Sequence, residues 1–129
     1  MEANCISDLE EIDGLTEKII RCAFTVSNTL GAGFVEKVYE NALVIELVNN
    51  NLSCVQQAPI KVRYQNVIVG DFAVDILVEN IVLVELKAVK SLDEIHFAQC
   101  INYLKASGNK ICLLINFGTK RIQVKRIIG

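Results

Sequence analysis

VIVGDFAVDILVENIVLVELK, from Val67 to Lys87, is the most informative part of this chain: two β-rich runs lie on either side of Glu79-Asn80. Asn in such a position marks a tight turn, so the two runs predict a hairpin with strands over 67–78 and 81–88. Gly70 marks a bulge or bend in the first strand. The second run is almost continuously apolar up to Glu85, which is typical of a central strand buried on both faces.

Helical and strand patterns flank this hairpin. Apolar residues at helical spacing predict helices over 15–30 and 35–48, which end at Gly31-Ala-Gly33 and at Asn49-Asn50-Asn51. Strand patterns over 54–64 precede the hairpin and complete an antiparallel meander. A helix ending at Ser107-Gly108 and strands over 110–117 and 121–127 follow it. The predicted order is ααβββαββ, an α/β fold.

Composition limits the classes of protein to consider. The 129 residues fit one domain over 1–129, with residues 1–13 as a candidate loose N-terminal segment. Five cysteines without a CxxC pair and a single histidine argue against a zinc site or a disulfide framework. The polar N-terminus does not resemble a signal peptide, and no apolar run approaches the roughly 20 residues of a membrane span. We therefore expect a soluble cytoplasmic protein that does not associate with membranes.

Three charged residues stand out because they lie in otherwise apolar strands. Glu85 and Lys87 are two apart, so both side chains leave the same face of the second strand. A hairpin around Glu79-Asn80 brings Asp75 opposite Val84 or Glu85. Two carboxylates supply the hard oxygen ligands that Mg²⁺ or Mn²⁺ prefers, and a neighbouring ammonium could orient water and stabilise negative charge. The pattern is that of a phosphodiesterase site.

Each of these features also has a simpler interpretation. Asp75 or Glu85 could form an inert ion pair with Lys87, because burying charge is costly unless it is paired. Glu36 and Glu40, four apart on the second helix, could be an exposed acidic face. The third helix carries two more polar residues four apart, which could be a surface amide and a half-buried ring: Gln99 and Tyr103. Spacing alone does not choose between these interpretations.

The order of these residues along the chain resembles a known family. Gly33-Phe-Val-Glu36-Lys-Val-Tyr39 has the form GxxExxY, and the chain resembles GxxExxY-family proteins of the PD-(D/E)xK nuclease superfamily. The resemblance extends from about Leu15 to Ile127. It rests on one ordered set: Glu36, Asp75, Glu85, Lys87, Gln99 and Tyr103. The first motif has Val74 before Asp75 in place of proline, which is often absent from the superfamily.

The resemblance implies a mixed sheet flanked by helices and a role for each site residue. Asp75 and Glu85 would bind Mg²⁺ or Mn²⁺ with help from the Leu86 backbone carbonyl, and Lys87 would serve the nucleophilic water. Glu36 would complete the acidic cluster and is a further candidate metal ligand. Gln99 and Tyr103 match a QxxxY element that lies beside the site and supports it.

The function expected from this resemblance is a metal-dependent nuclease acting on DNA in preference to RNA. The alternative is a non-catalytic module that binds nucleic acid or another protein and keeps the nuclease fold, which the net charge of −2 favours. A homodimer or a larger complex could supply further substrate contacts. The candidate substrate-binding residues form a basic group near the C-terminus: Lys120, Arg121, Lys125 and Arg126.

Overall fold

Residues 5–129, and the side chains of residues 10–129, are described by a computed structural model of the chain. Its helices are α1 (Cys5–Leu30), α2 (Glu36–Asn49) and α3 (Glu94–Ser107). Its strands are β1 (Cys54–Tyr64), β2 (Val67–Val78), β3 (Val82–Lys87), β4 (Ile111–Asn116) and β5 (Gln123–Ile128). The element order is ααβββαββ, as predicted.

The five strands form one mixed sheet in the order β1-β2-β3-β4-β5. β3 and β4 run parallel and the other neighbours run antiparallel, so the predicted meander and mixed sheet are confirmed. Both residues of the Gln65-Asn66 turn and of the Glu79-Asn80 turn have positive φ. That conformation matches the right-handed twist of the flanking strands and closes tight hairpins. The register of β1 on β2 shifts beside Gly70, where a bulge was predicted.

Helices cover both faces of the sheet. α1 and α2 pack on one face, where Ile19 and Leu43 join a core cluster with Val84 and Leu113. α3 packs on the other face, where Leu104 joins a second cluster built on β3 and β4. Residues Val82 to Leu86 of β3 and the whole of β4 are buried. β3 is therefore the central strand, buried on both faces, that its apolar run predicts.

The first helix is longer than the range 15–30 that was predicted for it. It begins at Cys5, so most of the predicted loose segment over 1–13 belongs to α1, and residues 1–4 lie outside the described residues. Acidic residues stand among the apolar residues of its first turns, of which Leu9 and Ile12 lie at helical spacing from Leu15. Within the described part of the chain, no helix has the length and apolarity required to cross a bilayer.

The GxxExxY segment builds the connection between α1 and α2. Gly33 has a φ of 118°, a conformation that side chains rarely adopt, so the connection favours glycine at this position. The buried Tyr39 hydroxyl donates to the Gly31 carbonyl at 2.6 Å and accepts the Phe34 N–H at 3.1 Å. The Tyr39 ring stacks on Phe117, with centroids 4.7 Å apart. These contacts hold the start of α2 against the end of the sheet.

A second set of contacts holds the chain just after β3. The buried Asn116 side chain accepts the Val89 N–H at 3.0 Å and donates to the Val89 carbonyl at 2.9 Å. The Phe117 N–H donates to the Lys87 carbonyl at 2.8 Å. Gly118 lies so close to Val89 that a Cβ at this position would overlap the Val89 backbone. The end of β3 is thus fixed by backbone and amide contacts.

We expect Gly118→Ala to lower the free energy of unfolding by about 1–3 kcal/mol, because the added methyl group must push the Val89 backbone away. The matched control is Gly14→Ala in α1, where a new Cβ meets nothing within 4 Å. That change should raise the free energy of unfolding by about 0.5–1 kcal/mol through higher helix propensity. Urea denaturation measures both. Equal stability of Gly118→Ala and wild type would contradict the close approach.

Candidate active site

Strands β2 and β3 separate at the candidate site. They pair from Val78 and Val82 to Ile76 and Val84, and the ladder stops there although both strands continue. The side chains of Ile76 and Val74, two residues apart, pack in the two core clusters on opposite faces of the sheet. In a regular strand such residues share one face. β2 therefore rotates at Asp75 and leaves β3, opening a gap between the two strands.

The carboxylates of Asp75 and Glu85 connect the two strands across this gap. The Asp75 carboxylate accepts the Leu86 N–H at 2.8 Å, and the Glu85 carboxylate accepts the Asp75 N–H at 3.3 Å. Each side chain thus satisfies a backbone donor on the opposite strand where no ladder bond is available. Continuing the register from Ile76 and Val84 places Asp75 opposite Glu85, as the hairpin pattern indicated.

Burial and nearby negative charges disfavour the charged forms of both groups. Glu85 is 5% exposed. Its burial, together with the charge of Asp75, raises its pKa from 4.5 to about 8. Burial is also the main reason why the pKa of Asp75 is raised, and the charges of Glu40 and Glu36 raise it further. A cation placed between the two carboxylates would remove this repulsion.

Lys87 lies two residues after Glu85 on the same face of β3 and is partly buried. Its charge lowers the pKa of Glu85, an effect weaker than those of burial and Asp75. Among residues 10–129, no nitrogen of Lys87 lies within 4.0 Å of an acidic side chain. The inert ion pair of the alternative interpretation is therefore not formed in this structure.

The two glutamates of α2 have different surroundings. Glu36 is the first residue of the helix and is exposed, and its charge raises the pKa of both Asp75 and Glu85. Glu40 is 3% exposed and accepts hydrogen bonds from Lys37 at 3.1 Å and Gln56 at 2.8 Å. Their spacing predicted one exposed acidic face formed by Glu36 and Glu40, and only Glu36 was a predicted site residue. The place of Glu40 beside the buried Tyr39 was the only local signal that it could lie inward.

Gln57 joins Glu40 to the site. Its amide nitrogen donates to both carboxylate oxygens of Glu40, at 3.1 and 3.2 Å, and lies 3.3 Å from the Asp75 carboxylate. Gln57 has a φ of 51° inside β1, at the position facing Asp75 where ladder pairing is interrupted. A non-glycine residue in this region carries backbone strain of about 1–3 kcal/mol. No sequence pattern identified this residue, because its role follows from the register of β1 on β2.

The third helix brings Gln99 and Tyr103 beside the carboxylates. The Gln99 amide donates to the Tyr103 hydroxyl at 3.0 Å. Burial raises the pKa of Tyr103, and the charges of Glu85 and Asp75 raise it further. The two residues of the predicted QxxxY element are therefore in contact with each other and close to the acidic pair.

The four basic residues near the C-terminus do not form one surface. Arg126 contacts α1, at 3.5 Å from the Asp13 carboxylate and 3.0 Å from the Thr16 hydroxyl. Lys125 pairs with Leu114, whose side chain packs on the α3 face of the sheet. Lys120 and Arg121 line a separate groove with residues of α1. Their role in substrate binding stays a prediction.

The donor set at the gap consists of the two carboxylates of Asp75 and Glu85, with Glu40 and Glu36 of α2 at longer range. Over residues 10–129, no group of three or more His, Cys, Asp and Glu side chains is arranged so that it could hold a metal ion by itself. The remaining ligands of an ion at Asp75 and Glu85 would therefore be backbone oxygen, water or substrate, as is usual for Mg²⁺.

We expect the metal-free protein to lose stability as the pH rises between about 5 and 8. Over this range the unfolded chain releases the Glu85 proton, while the folded chain, with its pKa raised to about 8, retains it. The free energy of unfolding should fall by up to about 1.4 kcal/mol per pH unit and level off above this range. Urea denaturation with a chelator measures the slope. Glu85→Gln should remove the contribution of Glu85 to this slope. A slope that is unchanged in the variant would contradict the raised pKa of Glu85.

Comparison with known families agrees with the fold described above. A family model described as PD-(D/E)XK nuclease superfamily matches residues 13–127. Comparisons with curated proteins and with solved structures gave no match. Nucleases of this superfamily generally use divalent metal ions. Because the match spans most of the chain and the mixed sheet with its three described helices agrees with the superfamily core, this chain belongs to the PD-(D/E)XK nuclease superfamily.

Proposed function

We propose that this protein is a divalent-metal-dependent nuclease that hydrolyses phosphodiester bonds in nucleic acid, with DNA preferred to RNA. One observation carries the proposal. Asp75 and Glu85 face each other where β2 leaves β3, and Lys87 follows on the same face of β3 with no ion pair among the described side chains. A merely structural site would pair these acidic groups with a cation, whereas this one brings a buried and a half-buried acidic group together without one.

The residues at the gap fit a hard divalent cation such as Mg²⁺ or Mn²⁺. Asp75 and Glu85 would hold it through carboxylate oxygens, and burial of both groups is tolerable when a cation is bound. The Leu86 carbonyl is a suitable third donor: in an antiparallel ladder a residue uses its N–H and C=O on the same side, and the Leu86 N–H points into the gap. When bound, the ion would supply Lewis acidity at the scissile phosphate.

The protein's own groups would position the reactants. Lys87, beside Glu85, would hold the attacking water and stabilise negative charge that develops on the phosphate oxygens. The Gln99 amide and the Tyr103 hydroxyl form the α3 wall of the site, where the hydroxyl can donate to a phosphate oxygen. Gln57, supported by Glu40, would keep the Asp75 carboxylate oriented toward the gap.

Assignment to the GxxExxY branch is part of this proposal. Gly33 and Tyr39 shape the connection that places Glu36 at the first turn of α2, from which its charge reaches Asp75 and Glu85. Glu36 could therefore act as a further ligand, through water or directly. The segment would then serve the active site as well as the fold.

We expect Lys87→Ala to lower the rate of DNA cleavage by roughly 10²–10³-fold, because it removes a group that stabilises the transition state. Its affinity for Mn²⁺, measured by calorimetric titration, should stay near the wild-type value. Glu85→Gln should abolish cleavage and weaken Mn²⁺ binding, because it removes a ligand charge. The matched control is Lys110→Ala, which removes an exposed lysine from the opposite end of the parallel β3–β4 pair.

Three outcomes separate the proposal from its alternative. Cleavage of labelled DNA or RNA with Mg²⁺ or Mn²⁺ that is lost in Lys87→Ala supports it. A purified wild-type protein that binds neither ion and cuts neither polymer would overturn it. Metal-independent binding of nucleic acid, unaffected by Asp75→Ala, would favour the non-catalytic module instead.

The two glutamates of α2 should respond differently to neutral substitution. Glu36→Gln should weaken Mn²⁺ binding while leaving the free energy of unfolding almost unchanged, because the side chain is exposed. Glu40→Gln should lower the free energy of unfolding by about 1–3 kcal/mol, because the buried group accepts charge-assisted and amide hydrogen bonds. Calorimetric titration and urea denaturation measure the two effects. Similar behaviour of both variants would contradict the separate roles.

A further inference from the structure

A groove of about 790 Å³ runs between α3 and the outer half of the β1–β2 hairpin. Lys61 and Arg63 of β1 lie on one wall and Lys105 of α3 lies on the other. Pockets of this size accommodate ligands of a few hundred daltons, which is the size of one or two nucleotides. The groove is formed because β2 leaves β3 and carries β1 toward the α3 side.

The groove leads to the candidate active site. Gln99 and Tyr103 belong to its lining and also form the α3 wall beside the carboxylates. Tyr103 packs in one core cluster with Leu83, which lies two residues before Glu85 on the same face of β3, so this wall adjoins Glu85. A chain that lies in the groove would therefore reach the gap between Asp75 and Glu85.

The charge of the groove suits a polyanion. Its charged lining residues among those described are all basic, in a chain whose net charge is −2. Lys61 pairs with the exposed Asp71 at 3.2 Å. Within the described part of the chain, Arg63 and Lys105 have no acidic partner within 4.0 Å. These two cations, on opposite walls, are available to phosphate groups.

The groove also presents an aromatic surface. Phe72 is 51% exposed, and its ring centroid lies 6.2 Å from that of the buried Tyr103. An exposed ring supported from behind by a second ring is a suitable platform for a nucleobase. The faces of paired bases are covered inside a duplex, so stacking on Phe72 requires an unpaired nucleotide.

We propose that this groove binds an unpaired strand of nucleic acid and directs its backbone to the Asp75–Glu85 site. The substrate class is then single-stranded nucleic acid, or the single-stranded end of a frayed duplex. The claim that the nucleic-acid backbone is directed to Asp75 and Glu85 rests on the proposed nuclease function. The binding itself depends only on the cations and the aromatic surface of the groove.

The experiment measures binding without catalysis. Fluorescence anisotropy at low salt, with the full chain in a chelator, follows labelled oligothymidine, oligouridine and a duplex of equal length. We expect a single strand to bind roughly tenfold or more tightly than the duplex. Tighter binding of oligothymidine than of oligouridine agrees with the proposed preference for DNA, and the reverse order contradicts that preference but not the single-strand site. A duplex that binds as tightly as both single strands overturns the proposal.

Substitutions test the groove residues directly. The Arg63→Ala/Lys105→Ala double variant and the Phe72→Leu variant should each weaken single-strand binding by roughly tenfold, the latter through loss of one stacked base. The matched control is the Lys18→Ala/Arg21→Ala double variant, which removes the same charge from the exposed surface of α1, across the sheet from α3. Control binding should stay within about twofold of wild type.

Two patterns would show that the groove is not the binding site: equal losses in the charge-removing variant and its control, or unchanged binding by Phe72→Leu. Thermal unfolding of each variant serves as the test of folding. Because Phe72 is half exposed, its substitution should have little effect on stability. A protein that binds single strands in this groove but never cleaves them would overturn the nuclease function and keep the binding site. Cleavage that is unaffected by groove variants would overturn the binding site in the groove and keep the nuclease function.

Discussion

The hydrogen bond from the Leu86 N–H to the Asp75 carboxylate is the contact on which the rest of the site depends. It replaces a ladder bond, so β2 can separate from β3 without leaving a buried donor unsatisfied. The separation turns β2 about its axis, which is why Ile76 and Val74 pack in different core clusters. Both the gap that holds the carboxylates and the groove beside α3 follow from this departure from a regular sheet.

The site is built at the expense of stability. A buried and a half-buried acidic group face each other, and Gln57, which contacts Glu40 and Asp75, has a left-handed conformation inside a strand. Neither arrangement helps the metal-free protein to fold. The surrounding structure compensates with well-packed elements: β3 and β4 are buried on both faces, and Asn116 fixes the chain that follows Lys87. A strained, acid-rich region therefore lies inside a firmly packed frame.

Helix α2 connects the fold to the chemistry. The Tyr39 hydroxyl closes the glycine-containing connection from α1, and its ring stacks on Phe117 next to the end of β4. With the helix held in this way, Glu40 points inward to Gln57, and Glu36 stays exposed close enough to influence the pKa of both Asp75 and Glu85. One turn of helix thus provides a buried supporting group and an accessible carboxylate.

Local patterns in the amino-acid order were sufficient for the element order, the hairpin around Glu79-Asn80, the buried central strand and the face shared by Glu85 and Lys87. These features depend on turn residues and on the period of a strand, which act over a few residues. The depth of Glu40 relative to Glu36 and the role of Gln57 became apparent only in the tertiary structure, whereas the opposite faces of Lys125 and Arg126 already follow from the period of a strand. The positions of Glu40 and Gln57 depend on register or packing between segments far apart in the chain, as with Gln57 and Asp75, and the period of one element carries no information about its neighbour.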